Sequence, residues 1–209
     1  FELSSVGAAL KLHGVPVIGE AGKKSTAINL FRSLQPNVVL LDMHKSNESS
    51  IEIAQLIRQE SPGVGVVILV PCADMRLIGE DLLELPVGAL LVLKNSLNNL
   101  SVLCEAISAS RSFNEDMQVA WVNGAVTLCQ KESKALMSGL SNTQIETLRH
   151  VADGLTNAEI GRTRFVSEKA IEQILSRVAI TLNIQPDPRK NMRVQLVREY
   201  LKWIGAPTH

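Results

Sequence analysis

Short apolar runs alternate with amphipathic segments over the first half of the chain, and this alternation constrains the fold more than any other feature. Apolar side chains recur at helical spacing in three segments, residues 25–34, 50–60 and 74–83, which are predicted to be helices. A further helix is expected over 97–111, with Ser96 as its N-cap. Strands that alternate with helices are typical of a parallel sheet covered by helices, so the first half is predicted to be α/β. The predicted strands are Val15 to Gly19, Asn37 to Asp42, Val64 to Val70 and Gly88 to Leu93.

The second half carries no strand pattern after residue 140, but helix caps recur there at short intervals. In a capping box, the cap oxygen and a Glu or Gln three residues later satisfy each other's backbone amides. A left-handed residue is expected at Gly154, where the first of these helices should end. These signals predict a small all-helical domain. The expected N-caps are Ser141 and Thr156, in capping boxes with Gln144 and Glu159, followed by Ser167 and Asn191.

Residues 113–139 separate the two patterns. Asn123-Gly124 is a turn signal, and residues 130–137 are compatible with a short helix. We interpret this stretch as a linker between a first domain of residues 1–112 and a second domain of residues 140–209.

The two halves carry opposite net charges, although the whole chain is neutral with 21 basic and 21 acidic residues. Residues 1–140 hold 11 basic and 14 acidic groups, a net charge of −3, whereas residues 141–209 hold 10 and 7, a net charge of +3. A positive domain is expected where a protein contacts phosphates. Aromatic residues make up only 3% of the chain, which disfavours modules that stack single-stranded bases.

Several other functions lack the residue patterns that they need. The three cysteines are widely spaced and form no Cys/His cluster, which disfavours disulfide frameworks and zinc sites. Gly22 to Thr26 is not a phosphate loop, because the glycine required five residues earlier is replaced by Val17. No pairing of a nucleophile with a base indicates an enzyme. The longest apolar run, Val64 to Pro71, is too short to span a bilayer, so a cytoplasmic protein without a membrane partner is expected.

A helix-turn-helix is predicted in the second half, because a helix over 157–163, a turn over 164–166 and a helix over 168–182 have the required lengths. Three segments surround and include it in a fixed order: Leu140-Ser141-x-x-Gln144-x-x-x-Leu148, Gly154-Leu155-Thr156-Asn157-x-Glu159-Ile160 and Phe165-Val166-Ser167-Glu168-Lys169-x-Ile171. This pattern covers about 65 residues and resembles the DNA-binding domain of the LuxR/FixJ (NarL-class) regulators.

By that resemblance, the second helix of the motif enters the major groove of double-stranded DNA and the first crosses the backbone. Residues three and four positions apart share a helix face, which gives five groove-facing candidates. They are Lys169, Glu172, Gln173, Ser176 and Arg177. Gln173 can pair with adenine, whereas Lys169 and Arg177 can reach guanine or a phosphate. Arg162 and Arg164 are expected to contact the DNA backbone.

Three positions in the second helix depart from the family pattern. The chain has Ala170 where the family usually has Thr, Glu172 where it has a basic residue, and Ile174 where it has His. Glu172 can accept a hydrogen bond from cytosine but would repel a phosphate. Either the recognised sequence is unusual or the affinity is low.

The first half is similar to the receiver domain of response regulators, which has a doubly wound, flavodoxin-like fold. Asn37 to Asp42 matches the strand that ends in the phosphoacceptor, and Lys94 matches the lysine that neutralises the phosphoryl oxygens. The family's first strand, with its acidic pair, would precede Phe1, so the native chain is expected to begin earlier. Mg²⁺ is expected only if that acidic pair exists, and no other cofactor is implied.

The conformational switch of the family is expected to be lost. Val70, followed by Pro71, replaces the hydroxyl residue that normally ends the fourth strand, and Leu91 replaces the aromatic switch residue. Without these groups, a phosphoryl group would interact almost equally with two states of the domain. The sequence therefore predicts an atypical receiver that works through dimerisation, a protein partner or a small ligand.

Three functions remain open. The favoured one is a phosphorylation-independent, sequence-specific bacterial transcription regulator that binds two half-sites about one helical turn apart as a homodimer. The second is a conventional response regulator that accepts a phosphoryl group at Asp42 from a histidine kinase. The third is an interaction adaptor whose helical domain does not bind DNA. Family members dimerise through the receiver or the last helix, here Asn191 to Ile204, and both arrangements remain open.

Overall fold

The computed structural model describes residues 2–43, 50–80, 82–112, 119–122 and 139–204. The chain divides into two compact units, each built from two separate stretches of sequence. The α/β unit comprises Phe1–Pro71 and Leu82–Ala125, and the helical unit comprises Cys72–Asp81 and Val126–His209. The helical unit therefore includes a segment, Cys72–Asp81, that precedes the linker in sequence.

The α/β unit contains a four-stranded parallel sheet in the order β1-β2-β3-β4. Leu40 pairs with Val67, which pairs in turn with Leu90. The α/β prediction for this half is confirmed. The elements are α1 (Glu2–Leu12), α2 (Lys24–Leu34), β1 (Val38–Asp42), α3 (Ser50–Glu60), β2 (Gly65–Val70), β3 (Leu90–Leu93), α4 (Leu100–Ser110) and β4 (Ala120–Trp121).

The two central strands, β2 and β3, are buried along their whole lengths. Parallel strands that are covered on both faces have near-continuous apolar sequences, as these do. Leu10 of α1 and Leu103 of α4 belong to the same apolar cluster as Val67 of β2. At the start of β2, a Cβ on Gly65 would lie 2.7 Å from the carbonyl oxygen of Ser110, so this close approach of α4 requires glycine.

The strand predicted from Val15 to Gly19 is wrong, because this segment joins no ladder. A strand exists only where a neighbouring strand completes its backbone hydrogen bonds, and β2 is the only strand that pairs with β1 among the described residues. An open cavity of about 1090 Å³ is lined by this segment and by β1. The apolar residues of Val15 to Gly19 indicate that the backbone tends to be extended. They do not indicate whether a partner strand is present.

The helix predicted over 74–83 is also wrong. The residues that the structure describes in this stretch form short 3-10 turns, at Met75–Leu77 and Leu82–Glu84. Between them Gly79 adopts a left-handed conformation with φ 84°, which ends a right-handed helix.

Helix α4 begins later than the sequence predicts. Asn99, and not Ser96, is its N-cap, and the Asn99 side chain accepts a hydrogen bond from the amide of Ser101 at 3.2 Å. Residues Lys94–Asn98 form a 3-10 helix instead. Asn and Ser are both good caps, so the sequence does not distinguish the two positions.

Helix α1 and strand β4 are absent from the sequence-based prediction, and β4 lies within the stretch interpreted as linker. The turn expected at Asn123-Gly124 and the helix expected over 130–137 lie outside the described residues.

The helical unit confirms the predicted helices and their N-cap residues. The backbone amide of Gln144 donates to Ser141 Oγ at 3.3 Å, and the backbone amide of Ser141 donates to Gln144 Oε1 at 2.8 Å. These two bonds complete a capping box. Of the capping box predicted for Thr156 and Glu159, the structure shows the bond from the Glu159 backbone amide to Thr156 Oγ1 at 3.2 Å, while the Glu159 carboxylate pairs with Arg162. Gly154 adopts the expected left-handed conformation, with φ 86°. Thr156, Ser167 and Asn191 each accept an amide hydrogen bond at the start of a helix. The helices are α5 (Asn142–Ala152), α6 (Asn157–Thr163), α7 (Glu168–Thr181) and α8 (Met192–Trp203).

The segment Cys72–Asp81 forms part of the core of the helical unit. Leu77 is 1% exposed and packs in the same apolar cluster as Leu148, Ile171 and Leu196. Hydrogen bonds from two side chains, Tyr200 and Arg76, hold the segment in place. Tyr200 donates its hydroxyl to the carbonyl oxygen of Leu77 at 2.8 Å, and Arg76 Nη1 donates to the Leu140 carbonyl oxygen at 3.2 Å and to Asn142 Oδ1 at 2.9 Å.

Among the described residues, no helix combines the length and the apolar character needed to cross a bilayer.

Candidate nucleic-acid interface

The helix-turn-helix consists of α6, a turn from Arg164 to Val166, and α7, as the sequence predicts. Gly161 permits α6 to pack closely on the turn, because a Cβ at this position would lie 2.7 Å from the carbonyl oxygen of Val166. The Val166 amide donates to the Gly161 carbonyl oxygen at 2.9 Å. Ser167 Oγ then starts α7 by accepting from the amide of Ala170 at 3.2 Å.

Helix α7 has one buried apolar face and one exposed polar face. The buried face consists of Ile171, Leu175, Val178 and Ala179. The exposed residues include all five groove-facing candidates, Lys169, Glu172, Gln173, Ser176 and Arg177. The hydroxyl of Ser176 donates to the carbonyl oxygen of Glu172 at 2.9 Å, so this hydroxyl can offer only its lone pairs to a partner. The candidates therefore share one solvent-facing surface.

The exposed face of α7 is electrically balanced. Lys169 and Arg177 contribute two positive charges, and Glu168 and Glu172 contribute two negative charges. Attraction to a polyanion therefore has to come from the rest of residues 141–209, whose net charge is +3.

The two arginines expected to contact the DNA backbone occupy different environments. The side chain of Arg162 is 73% exposed and forms an ion pair with Glu159 of the same helix. The side chain of Arg164 is only 16% exposed and is directed to α5, where its nearest acidic partner is Glu146. Arg162 is therefore accessible to a phosphate, whereas Arg164 is largely enclosed.

Arg193 joins α8 to the start of α6, a role that the sequence analysis missed. Its Nη1 donates to Asn157 Oδ1 at 2.7 Å, and its Nη2 donates to the carbonyl oxygen of Leu155. These bonds fix the loop that leads into the helix-turn-helix. A position in the first turn of a predicted helix gives no indication of such a contact.

Asp42 and Lys94, the two receiver residues identified in the sequence, are brought together by the α/β unit. Asp42 ends β1 and Lys94 follows β3, and Lys94 Nζ lies 2.6 Å from Asp42 Oδ1. Both side chains are about three-quarters buried, with 24% of Asp42 and 23% of Lys94 exposed. Ser50 Oγ donates to the Asp42 carbonyl oxygen at 2.7 Å, which links the end of β1 to the start of α3.

The two positions of the expected switch are closed apolar sites. Val70 and Leu91 are each 0% exposed within the α/β unit. Neither side chain carries a hydroxyl or an aromatic ring.

Mg²⁺ prefers several carboxylate oxygens, and the described residues place one carboxylate, that of Asp42, beside Lys94. Within the described part of the chain, no group of three or more His, Cys, Asp or Glu residues could hold a metal ion.

Comparison with known proteins identifies relatives over most of the chain. No family model matches it. The DNA-binding transcriptional activator EvgA of Escherichia coli (strain K12) is 21% identical over 164 residues, which cover 78% of each chain. The transcriptional regulatory protein LiaR of Bacillus subtilis (strain 168) is 28% identical over 189 residues, which cover 88% of this chain and 87% of LiaR. A solved complex of the two-component response regulator RcsB with DNA has a TM-score of 0.49 and 19% identity, with 95% of this chain and 93% of RcsB covered.

The chain combines a parallel sheet that holds an Asp-Lys pair with a helical unit that contains a helix-turn-helix. Over most of its length it is similar to response regulators of the LuxR/NarL class.

Proposed function

We propose that the chain is a sequence-specific transcription regulator that binds double-stranded DNA through the exposed face of α7. The observation that carries this proposal is the common exposure of Lys169, Glu172, Gln173, Ser176 and Arg177 on the second helix of a helix-turn-helix. Side chains on such a helix reach base edges in the major groove. EvgA, a relative over 78% of the chain, is itself a DNA-binding transcriptional activator.

A selection from a random duplex library tests this proposal. The full chain should enrich a defined sequence at a stated salt concentration, because salt strongly affects phosphate contacts. Gln173→Ala and Arg177→Ala should each weaken binding to the enriched site by about 1–3 kcal/mol and relax specificity at one position. Lys202→Ala is the matched control, because Lys202 is an exposed cation at the end of α8 and outside the proposed interface.

Failure to enrich any sequence would favour the third function, an adaptor whose helical unit does not bind DNA. If a sequence is enriched but neither substitution changes the affinity, the assignment of α7 residues to base edges is wrong.

Homodimer binding is part of the same proposal. A dimer of helix-turn-helix units reads two half-sites about one helical turn apart. Enriched sites should therefore contain a repeated half-site at that spacing, and sedimentation of the complex should give two protein chains for each duplex. An enriched site without a repeat, occupied by one chain, would contradict the dimer.

Regulation is proposed to be independent of phosphorylation and to depend on dimerisation, a protein effector or a small ligand. Val70 and Leu91 support this proposal, because a buried aliphatic side chain offers no hydrogen bond that would change when a phosphoryl group arrives.

A conventional phosphoacceptor is the second candidate, and the Asp42–Lys94 pair at 2.6 Å favours it. Labelling with acetyl phosphate in the presence of Mg²⁺ separates the two, with Asp42→Asn as the control. Stable labelling that requires Asp42 and changes the oligomeric state or the DNA affinity would establish the conventional switch, with a histidine kinase as the expected partner. The favoured proposal expects labelling, if it occurs, to change neither property.

A further inference from the structure

Arg164 occupies the turn that connects α6 to α7, three residues before the N-cap Ser167. Its side chain is 16% exposed, which is unusual for a residue type that mostly keeps its charged end in water. An enclosed guanidinium is stable only when nearby groups accept its hydrogen bonds.

Three acceptors on α5 surround the Arg164 guanidinium. Nη1 donates to the carbonyl oxygen of Thr143 at 3.1 Å and to Oγ1 of Thr147 at 2.5 Å. Nη2 lies 3.3 Å from Oε2 of Glu146. The Thr147 hydroxyl donates its own hydrogen to the Thr143 carbonyl oxygen at 2.7 Å, so its lone pairs are oriented to accept from Arg164. These acceptors hold both terminal nitrogens of the guanidinium without any contribution from DNA.

A phosphate at this position would meet two obstacles. It would have to replace protein acceptors that already hold Nη1, and it would approach the carboxylate of Glu146, which has the same sign of charge. Arg162 is not enclosed, since 73% of its side chain is exposed, and within the described part of the chain its guanidinium pairs with Glu159 of the same helix.

We propose that Arg164 is a positioning residue that fixes the start of α7 to α5 and thereby sets the orientation of the recognition helix, and that it does not neutralise a phosphate. This inference rests on the proposed DNA-binding function. It replaces the backbone contact expected for Arg164 from sequence and leaves that role to Arg162.

The dependence of binding on salt distinguishes the two roles. Loss of one phosphate contact lowers the slope of log K against log salt concentration by about one unit. Arg162→Met should produce this change. Arg164→Met should leave the slope unchanged and lower the affinity about tenfold at every salt concentration, because the remaining contacts are misaligned. A slope that falls by about one unit in Arg164→Met would overturn the proposal.

The conservative variant provides a second test, which does not depend on how much Arg164→Met destabilises the fold. A lysine keeps the charge and can bind a phosphate, but its single nitrogen cannot hold Thr143 and Thr147 through one arm of a planar fork and Glu146 through the other. Arg164→Lys should therefore remain as weak as Arg164→Met. Recovery of wild-type affinity and slope in Arg164→Lys would overturn the positioning role.

Thr147→Val extends the test to a residue that DNA cannot touch, since Thr147 is 0% exposed. It should weaken DNA binding without changing the salt slope, and its effect should not add to that of Arg164→Lys because both remove the same bond. Full additivity of the two effects would contradict the proposed coupling.

A readout on the free protein separates this proposal from the DNA-binding function itself. Amide hydrogen exchange in the first turn of α7 should be faster in Arg164→Lys than in the wild type, whereas Arg162→Lys should leave it unchanged. If the wild type binds no duplex, the proposed function fails, and the exchange measurement still decides whether Arg164 holds α7. Unchanged exchange in Arg164→Lys would show that it does not.

Discussion

Tyr200 and Leu77 lie 123 positions apart in sequence, and the Tyr200 hydroxyl donates to the Leu77 carbonyl oxygen at 2.8 Å. Both side chains are almost completely buried, with 2% of Tyr200 and 1% of Leu77 exposed. The bond ties α8 to the segment Cys72–Asp81 inside one core. The stability of the helical unit therefore depends on a stretch of chain that precedes the linker.

Tyr200→Phe should lower the free energy of unfolding by about 1–3 kcal/mol, because the buried carbonyl of Leu77 would lose its partner. Urea denaturation of the full chain, followed by circular dichroism, measures the change. Lys202→Ala on the same helix should stay within about 0.5 kcal/mol of wild type, since it removes only an exposed ion pair with Glu199. Equal stability of Tyr200→Phe and wild type would mean that this hydrogen bond is not formed in solution.

Leu77→Ala should destabilise the protein by about 2–5 kcal/mol, because it removes a fully buried side chain from a packed core. Leu83→Ala is the matched control. Leu83 follows in the same connection between β2 and β3 but is 91% exposed, so the same substitution should change little. Similar unfolding midpoints for the two variants would contradict the assignment of Leu77 to the helical core.

The helical unit should lose stability in alkaline solution. Burial raises the pKa of Cys72 from 9.0 to about 12 and that of Tyr200 from 10.0 to about 12, and Asp74 and Asp153, respectively, add to these shifts. As the pH rises through this interval, the unfolded chain releases protons that the folded chain still holds, so unfolding becomes more favourable. The stabilisation from both groups is complete below about pH 9 and is lost towards pH 12.

Tyr200 is the only tyrosine, so the ultraviolet absorbance of its phenolate reports this site alone. The folded protein should show the transition near pH 12, and the chain in urea should show it near pH 10. A folded-state transition near pH 10 would contradict the burial of the hydroxyl.

Gly161→Ala should destabilise the helix-turn-helix although alanine is the better helix former. The gain in helix propensity is about 1 kcal/mol. It is opposed by a contact of 2.7 Å between the new Cβ and the backbone carbonyl of Val166, which cannot move without shifting the turn. We expect a net loss of about 1 kcal/mol or more, together with weaker DNA binding. Gly22→Ala, where nothing lies within 4 Å of the added Cβ, is the control, and a more stable Gly161→Ala would show that the turn adapts.

Local signals in the sequence predict the helical unit well. A capping box requires only two residues three positions apart, and Ser141 and Gln144 form both of its hydrogen bonds. The two helices of the helix-turn-helix and the exposed face of α7 follow from the same short-range rules. For this reason the polar surface of α7 could be predicted before its surroundings were known.

Features that depend on distant partners could not be predicted. Val15 to Gly19 has the composition of a strand, but no ladder forms there because a ladder needs a second strand. Arg164 and Arg162 are indistinguishable by residue type and spacing, and only the position of α5 makes one enclosed and the other exposed. In the sequence, Leu77 is indistinguishable from the other apolar residues of a predicted helix. Its place in the helical core depends on contacts between its segment and residues more than 60 positions later in the chain.

Because Cys72–Asp81 completes the helical core, an expression strategy that begins at residue 139 would produce a truncated module with a hole in its packing. The surfaces of Leu140 and Tyr200 that Leu77 and its neighbours cover would face water, and such a fragment should bind hydrophobic dyes and aggregate. Biochemists who wish to study the helix-turn-helix in isolation should therefore supply the missing piece as a fused or added peptide.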